Sequence, residues 1–175
     1  MTAQIAPQSA TGQSQHGQNQ NAKNQTEPEI DAATAARKYW MSILARTDCN
    51  TLATHWQGNY ADVAWQTLRA PQIGMVMVRG RAGGAGQRFN LGEMTVTRCS
   101  VTLADGTIGH AYVKGRDRTQ AEYAALFDAV MLRDGAAQSF IDDLAQKQAV
   151  VKRDHARKIA ATKVDFFTLV RGEDE

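Results

Sequence analysis

A chain of 175 residues with 43% hydrophobic and 22% charged side chains has the make-up of an ordinary globular protein, with enough apolar content for a core of normal size. Its formal charge of +2 is too near neutral for global charge to imply a nucleic-acid or membrane partner, and no apolar run approaches the roughly 20 residues that span a bilayer. Two cysteines, Cys49 and Cys99, lack Cys-x-x-Cys spacing and a histidine cluster, which argues against a zinc site or disulfide framework and fits a reducing compartment.

Residues 1–30 are rich in Gln, Asn, Ser, Thr and Gly and poor in large apolar side chains, so they are expected to form a disordered tail ahead of a single domain over 31–175. The opening Met-Thr-Ala-Gln continues polar and offers no signal-peptide core, so the expected location is the cytoplasm. Asp31 or Thr34 is placed to cap a helix reaching Arg46, with Ala36, Tyr39, Trp40, Ile43 and Leu44 on one apolar face. Thr47 or Asp48 caps a shorter helix carrying Leu52 and Trp56 that ends at Gly58-Asn59, and the two helices read as an antiparallel pair.

The period then changes. Residues 63–68 alternate loosely, Pro71-Gln72-Ile73-Gly74 reads as a turn, and Met75-Val76-Met77-Val78 as the return strand of a hairpin. Glycines cluster at Gly80, Gly83, Gly84, Gly86 and Gly92, before a strand over 94–103. Asp105-Gly106 is a two-residue hairpin signal leading into a strand over 107–113. That turn pairs Leu103 with Ile108, Val101 with His110 and Cys99 with Tyr112, and makes those six side chains the core face. Asp117 and Gln120 resemble a capping box opening a helix over 118–133, with Tyr123, Leu126, Phe127, Val130 and Met131 as its stripe and Gly135 as its C-terminal stop. A last helix over 137–163 is expected to break within 146–154, and the apolar run 164–172 is expected to pack as a strand or against a partner. The fold class is α+β, an antiparallel sheet of hairpins flanked by N-terminal and C-terminal helices.

Three segments bear on function. In the stretch from Gly80 to Phe89, the successive N–H groups of Gly83, Gly84 and Gly86 can form an anion-binding nest, and Arg79, Arg81 and Arg88 flank it. There is no Gly-Lys-Ser/Thr ending and no dinucleotide fingerprint, and a plain connection between strands uses glycine in the same way. Lys114-Gly115-Arg116-Asp117-Arg118 leads into a helix N-terminus, where Arg116 can meet an anion, although Asp117 serves most simply as the cap. Residues 147–163 set Lys152, Arg153, Arg157, Lys158 and Lys163 against Asp154, a solvated helix face or a nucleotide- or RNA-binding one. His110 has no second histidine or acid at ligand spacing and is expected to be a partly buried structural residue. No metal site, Ser–His–Asp pattern or Cys–His nucleophile is legible, so no catalytic residue is assigned.

In order and spacing, Arg37-Lys38-Tyr39-Trp40-Met41-Ser42-Ile43-Leu44-Ala45, Gly83-Gly84-Ala85-Gly86-Gln87-Arg88-Phe89-Asn90-Leu91-Gly92-Glu93, Thr95-Val96-Thr97-Arg98, Leu103-Ala104-Asp105-Gly106-Thr107-Ile108-Gly109, Gly115-Arg116-Asp117 and Val164-Asp165-Phe166-Phe167-Thr168-Leu169-Val170-Arg171-Gly172 resemble one family. It is PhnG, the G subunit of the bacterial carbon–phosphorus lyase core complex, and the resemblance covers residues 37–173. It implies H, I and J subunits as partners, with ATPase-like K and L proteins associated. It also implies a part in a reaction in which ATP and methylphosphonate give α-D-ribose 1-methylphosphonate 5-triphosphate and adenine. ATP is then a substrate of the complex, and no cofactor is expected on this chain. The radical, iron–sulfur step of the later bond cleavage belongs to the J subunit, consistent with the absence of a cysteine triad here. The resemblance also implies an aromatic where His110 stands and supplies no catalytic residue.

Joining the two lines, Gly83, Gly84, Gly86, Arg88 and Arg116 are the candidates for phosphate binding or a subunit seam. Tyr39, Trp40, Phe166, Phe167, Leu169 and Val170 are the candidates for a partner interface. The alternative is a free-standing RNA- or nucleotide-binding domain, against which stands the lack of an evident aromatic-plus-arginine platform.

Overall fold

A computed structural model describes residues 31–162, Gly84 excepted. Two helices, α1 (Ala32–Leu44) and α2 (Cys49–Asn59), precede a meander of three antiparallel strands, β1 (Trp65–Arg81), β2 (Arg88–Leu103) and β3 (Ile108–Lys114), and α3 (Arg118–Arg133) and α4 (Gln138–Ala161) follow. The class is α+β, with helices at both ends of the sheet. The expected caps hold at three of the four helix starts. Asp31, Asp48 and Asp117 each accept the backbone N–H three residues on, at 2.7, 2.9 and 2.9 Å. The expected reciprocal half of the capping box is absent, because the Gln120 side chain donates instead to the Thr47 carbonyl at 2.6 Å and ties α3 to the end of α1.

The core lies between the helices and one face of the sheet. Leu126, Phe127, Val130 and Met131 of α3 meet Cys99, Val101 and Leu103 of β2 and Ala111 and Val113 of β3. Trp56 and Tyr60 stand edge-on to Phe127, with ring centroids 5.5 and 5.8 Å away. The helix α3 sits so close to β3 that a Cβ on Gly109 would collide with the backbone of Ala125 and Ala129. Glycine at 109 is therefore a packing requirement, since every other residue would push helix and strand apart. The two N-terminal helices pack chiefly on α3, and α1 also on α4, more than on each other.

Four expectations give way. The turn at 71–74 does not form: β1 runs straight through it, and its register against β2 shifts between Arg69 and Gln72, where Pro71 sits on an edge strand that tolerates a missing N–H. The Asp105-Gly106 connection is a three-residue loop, in which Leu103 N–H donates to the Thr107 carbonyl and Gly106 takes a φ of +88°. That one-residue slip reverses β3. The observed pairs are Thr102 with Ile108, Ser100 with His110 and Cys99 with Ala111. Ile108, His110 and Tyr112 are consequently exposed on the outer face, and His110 is a surface residue whose Nδ1 lies 2.9 Å from Ser100 Oγ. Finally, α4 is unbroken to Ala161; β-branched Val150 and Val151 lower helix propensity too little to interrupt it. The tail 1–30 and the apolar run 164–172 lie outside the described residues.

Candidate functional site

The Gly-rich segment closes a long hairpin. Strand β3 pairs with β2 only from Val96 to Thr102, whereas β1 pairs with β2 out to Arg81 and Arg88. From Met75 to Arg81 and back from Arg88 to Thr95 the sheet is therefore a two-stranded ribbon, an arm of about 20 Å along β1 at the usual rise per residue, with Ile73 at its root opposite Thr97 in the three-stranded part. Alternation places Ile73, Met75, Met77, Arg79 and Arg81 on one face, all exposed. Val76, Val78 and Gly80 occupy the other and are half-buried. A register shift at Leu91, beyond Val78, lets Phe89 and Leu91 lie across Gly80.

At the tip, Arg79, Arg81, Ala85, Gly86, Gln87 and Arg88 line an open concavity of about 650 Å³. Gly86 N–H donates to the Ala82 carbonyl at 2.8 Å, and a Cβ at Gly86 would stand 2.5 Å from that same oxygen, so the turn admits only glycine there. Gly83 has a φ of +57°. The Arg81 guanidinium leans on the Gly86 carbonyl at 3.4 Å. Arg79, Arg81 and Arg88 thus share one rim, and guanidiniums are the side chains that pair best with phosphates and carboxylates.

Arg116 is exposed and lies elsewhere. Its neighbour Gly115 donates to the Thr95 carbonyl at 2.9 Å and accepts from Thr97 Oγ1 at 2.8 Å, which fixes it at the foot of the arm. Thr95 stands seven positions along β2 from Arg88, about 23 Å of strand. The structure thus splits the expected phosphate set into a tip and a foot and does not bring Arg116 to the glycine loop. The first turn of α3 behind Arg116 already has its Asp117 cap in place.

Of the expected interface residues, Tyr39 is exposed and Trp40 is half-buried; Phe166, Phe167, Leu169 and Val170, like Gly84 of the loop, lie outside the described residues. Trp40 Nε1 donates at 2.8 Å to Asp128 Oδ1, and Asp128 is the residue that reading the sequence missed. Its carboxylate is fully buried in α3, gripped by Arg37 through Nη2 at 2.7 Å and Nε at 3.3 Å, and it accepts the His110 backbone N–H at 2.8 Å. The available signal was a lone acid inside the run from Ala124 to Leu132, with a cation required to match it. Every oxygen is engaged, so this carboxylate fastens α1 and the edge of β3 to α3.

The thiols are poor nucleophiles. Burial, with Glu122 adding to it, pushes Cys99 up to about 11, and its Sγ lies 3.4 Å from the Arg69 carbonyl. Burial raises Cys49 as well, reinforced by Asp117 and Asp48. Among the described residues, no group of three or more His, Cys, Asp or Glu side chains is placed to hold a metal ion, and no helix is long and apolar enough to cross a membrane.

Comparison with known proteins supplies what this geometry lacks. The family described as phosphonate metabolism protein PhnG matches residues 35–172. A curated relative from Rhizobium meliloti (strain 1021), the alpha-D-ribose 1-methylphosphonate 5-triphosphate synthase subunit PhnG, is 40% identical over 147 residues, which cover 82% of this chain and 94% of the relative.

Proposed function

The chain belongs to the PhnG family of phosphonate metabolism proteins, and from that premise we propose that it is the G subunit of an α-D-ribose 1-methylphosphonate 5-triphosphate synthase within the carbon–phosphorus lyase machinery. The observation that carries this reading is the 40% identity to a synthase subunit along nearly the whole of that relative. The complex joins methylphosphonate to the ribose triphosphate of ATP and releases adenine, in the cytoplasm, with H, I and J subunits as the core partners and K and L proteins associated. The chain contributes surface and charge and does not hold a complete active site of its own. Two features support that division of labour. The thiols are shifted away from reactivity, and the one fully buried carboxylate among the described residues, Asp128, spends its oxygens on structural donors.

In this reading the tip loop with Gly83, Gly86 and Arg88 lies beside the nucleotide triphosphate or at a seam between subunits. The chain, co-expressed with H, I and J and supplemented with L, is expected to form a hetero-oligomer that releases adenine from ATP in the presence of methylphosphonate. A chain that stays apart from all three partners would defeat the subunit reading. Within the working complex, Arg88→Ala is expected to lower adenine release about tenfold or more if the loop meets phosphate, on the scale of one lost charge-assisted contact. A seam position would instead show as lost assembly. Wild-type assembly together with wild-type turnover would remove the loop from either role.

A further inference from the structure

We propose that the β1–β2 arm is the element by which this chain grips a neighbouring subunit, inserting its face of Ile73, Met75, Met77, Arg79 and Arg81 into an apolar cleft rimmed by carboxylates. This rests on the subunit reading above and goes beyond it by naming the surface and the chemistry of what it meets.

The arm is built against its own interest as an isolated element. A two-stranded ribbon is marginally stable in water, and this one has, among the described residues, neither a third strand nor a helix behind its outer half. It nonetheless leaves Ile73, Met75 and Met77 at 43%, 68% and 50% exposure in one unbroken row, with Phe89 and Leu91 at 46% and 66% near the tip. Five large apolar side chains on one narrow ribbon go beyond the scattered surface apolars of a monomer. Methionine suits such a face, because its flexible thioether repacks against an irregular cleft. Among the described residues, both backbone edges of the outer ribbon are also unpaired, a condition that proteins ordinarily relieve by covering the edge.

Charge selects the occupant. Between residues 69 and 98 the sequence holds five arginines, at 69, 79, 81, 88 and 98, against the single Glu93. A second copy of the arm is a poor match in either direction, because tip-to-tip and tip-to-foot pairing both set arginine against arginine. A nucleic acid would answer the arginines but would leave three consecutive apolar positions without apolar surface to bury against. An acidic-rimmed protein cleft satisfies the whole row: apolar floor for Ile73, Met75 and Met77, carboxylates for Arg79 and Arg81.

The test uses the full chain co-expressed with the partner subunits of the proposed complex. In it, Met75→Glu with Met77→Glu is expected to weaken assembly about tenfold or more, as removal of a buried anchor pair does. Leu132→Glu, an exposed apolar position on α3, assembles as wild type. A photo-crosslinking residue at Met77 is expected to join the chain to a partner peptide containing Asp or Glu, which reports the contact even if the double variant folds poorly. A wild-type chain that does not assemble defeats the subunit reading and this inference with it. Normal wild-type assembly, with unchanged affinity in the double variant and no cross-link to a partner, defeats the inference alone. So do equal losses with Leu132→Glu, a cross-link to a second copy of this chain, or a cross-link to RNA in its place.

Discussion

Asp128 carries more of the fold than any other polar side chain described. Three donors of different kinds converge on it: a guanidinium from α1, an indole N–H one turn later, and a backbone N–H from the edge of β3. Only an acceptor with two free oxygens answers all three, which is why an amide cannot replace it. Asp128→Asn turns an NH2 group toward one of these donors and leaves the Arg37 charge half-buried without its counter-ion. The expected cost is about 2–4 kcal/mol, within the range for breaking a buried charged network. Arg37→Ala is expected to cost less, because its side chain is 31% exposed and Asp128 keeps Trp40 and His110 as donors. Urea unfolding of both variants against wild type checks the order. An unchanged Asp128→Asn midpoint, or a larger loss for Arg37→Ala, contradicts this account.

At the scale of elements, α2 and α4 are joined by an unusual contact: the His55 ring lies parallel on Phe140, centroids 3.7 Å apart and planes 3° from parallel. Burial there lowers the His55 pKa below its ordinary 6.5, and Asp143 only partly opposes it. With the folded value the lower one, the unfolded chain binds the proton more readily between the two values. The histidine's contribution to stability is therefore level above 6.5 and declines as pH falls through that window. The lowered carboxylates Asp31, Asp48, Asp105 and Asp134 act in the opposite region: their stabilisation is in place above 3.8 and is lost at lower pH. Unfolding at about pH 7.5 and about pH 5 thus isolates the histidine, and His55→Phe is expected to flatten the difference while keeping the stack. A variant with the same decline as wild type would place its cause in another group. Local chemistry of this kind was partly legible beforehand. Caps at Asp31, Asp48 and Asp117 and the stripe of α3 follow from side-chain geometry over a few residues. The hairpin was not, because Asp105-Gly106 serves two- and three-residue loops alike, and the difference of one residue decides which face of β3 is buried. Pro71-Gln72-Ile73-Gly74 failed for a related reason: on an edge strand proline costs no ladder bond, so a turn signal and an irregular strand look the same. The candidate site was legible as glycine and arginine, but its separation from Arg116 depends on how far β1 and β2 outrun β3, a property of pairing that no short motif encodes.

For the whole molecule, the consequence is two levels of stability in one sheet. Inboard of Val96 the strands lie under α3, with Cys99, Val101, Ala111 and Val113 almost fully buried. Outboard, among the described residues, the same β2 has one partner strand, and its residues 88–93 are exposed on both faces. Opening the inboard ladder requires stripping the helices from the core, whereas opening the outboard ladder requires only fraying a ribbon. In the isolated chain, amides of the pairs from Val76–Met94 to Arg81–Arg88 are expected to exchange with deuterium at least about a thousandfold faster than those of the inboard pairs, a gap of ~4 kcal/mol in opening free energy. Assembly should then act unequally. A partner that covers the arm binds the closed ribbon and not the frayed one, so protection rises there by mass action and changes little in the core, which is already closed. Equal protection along β2 in the isolated chain would show that the ribbon is self-supporting and that its exposed row of Ile73, Met75 and Met77 needs no partner to hold it.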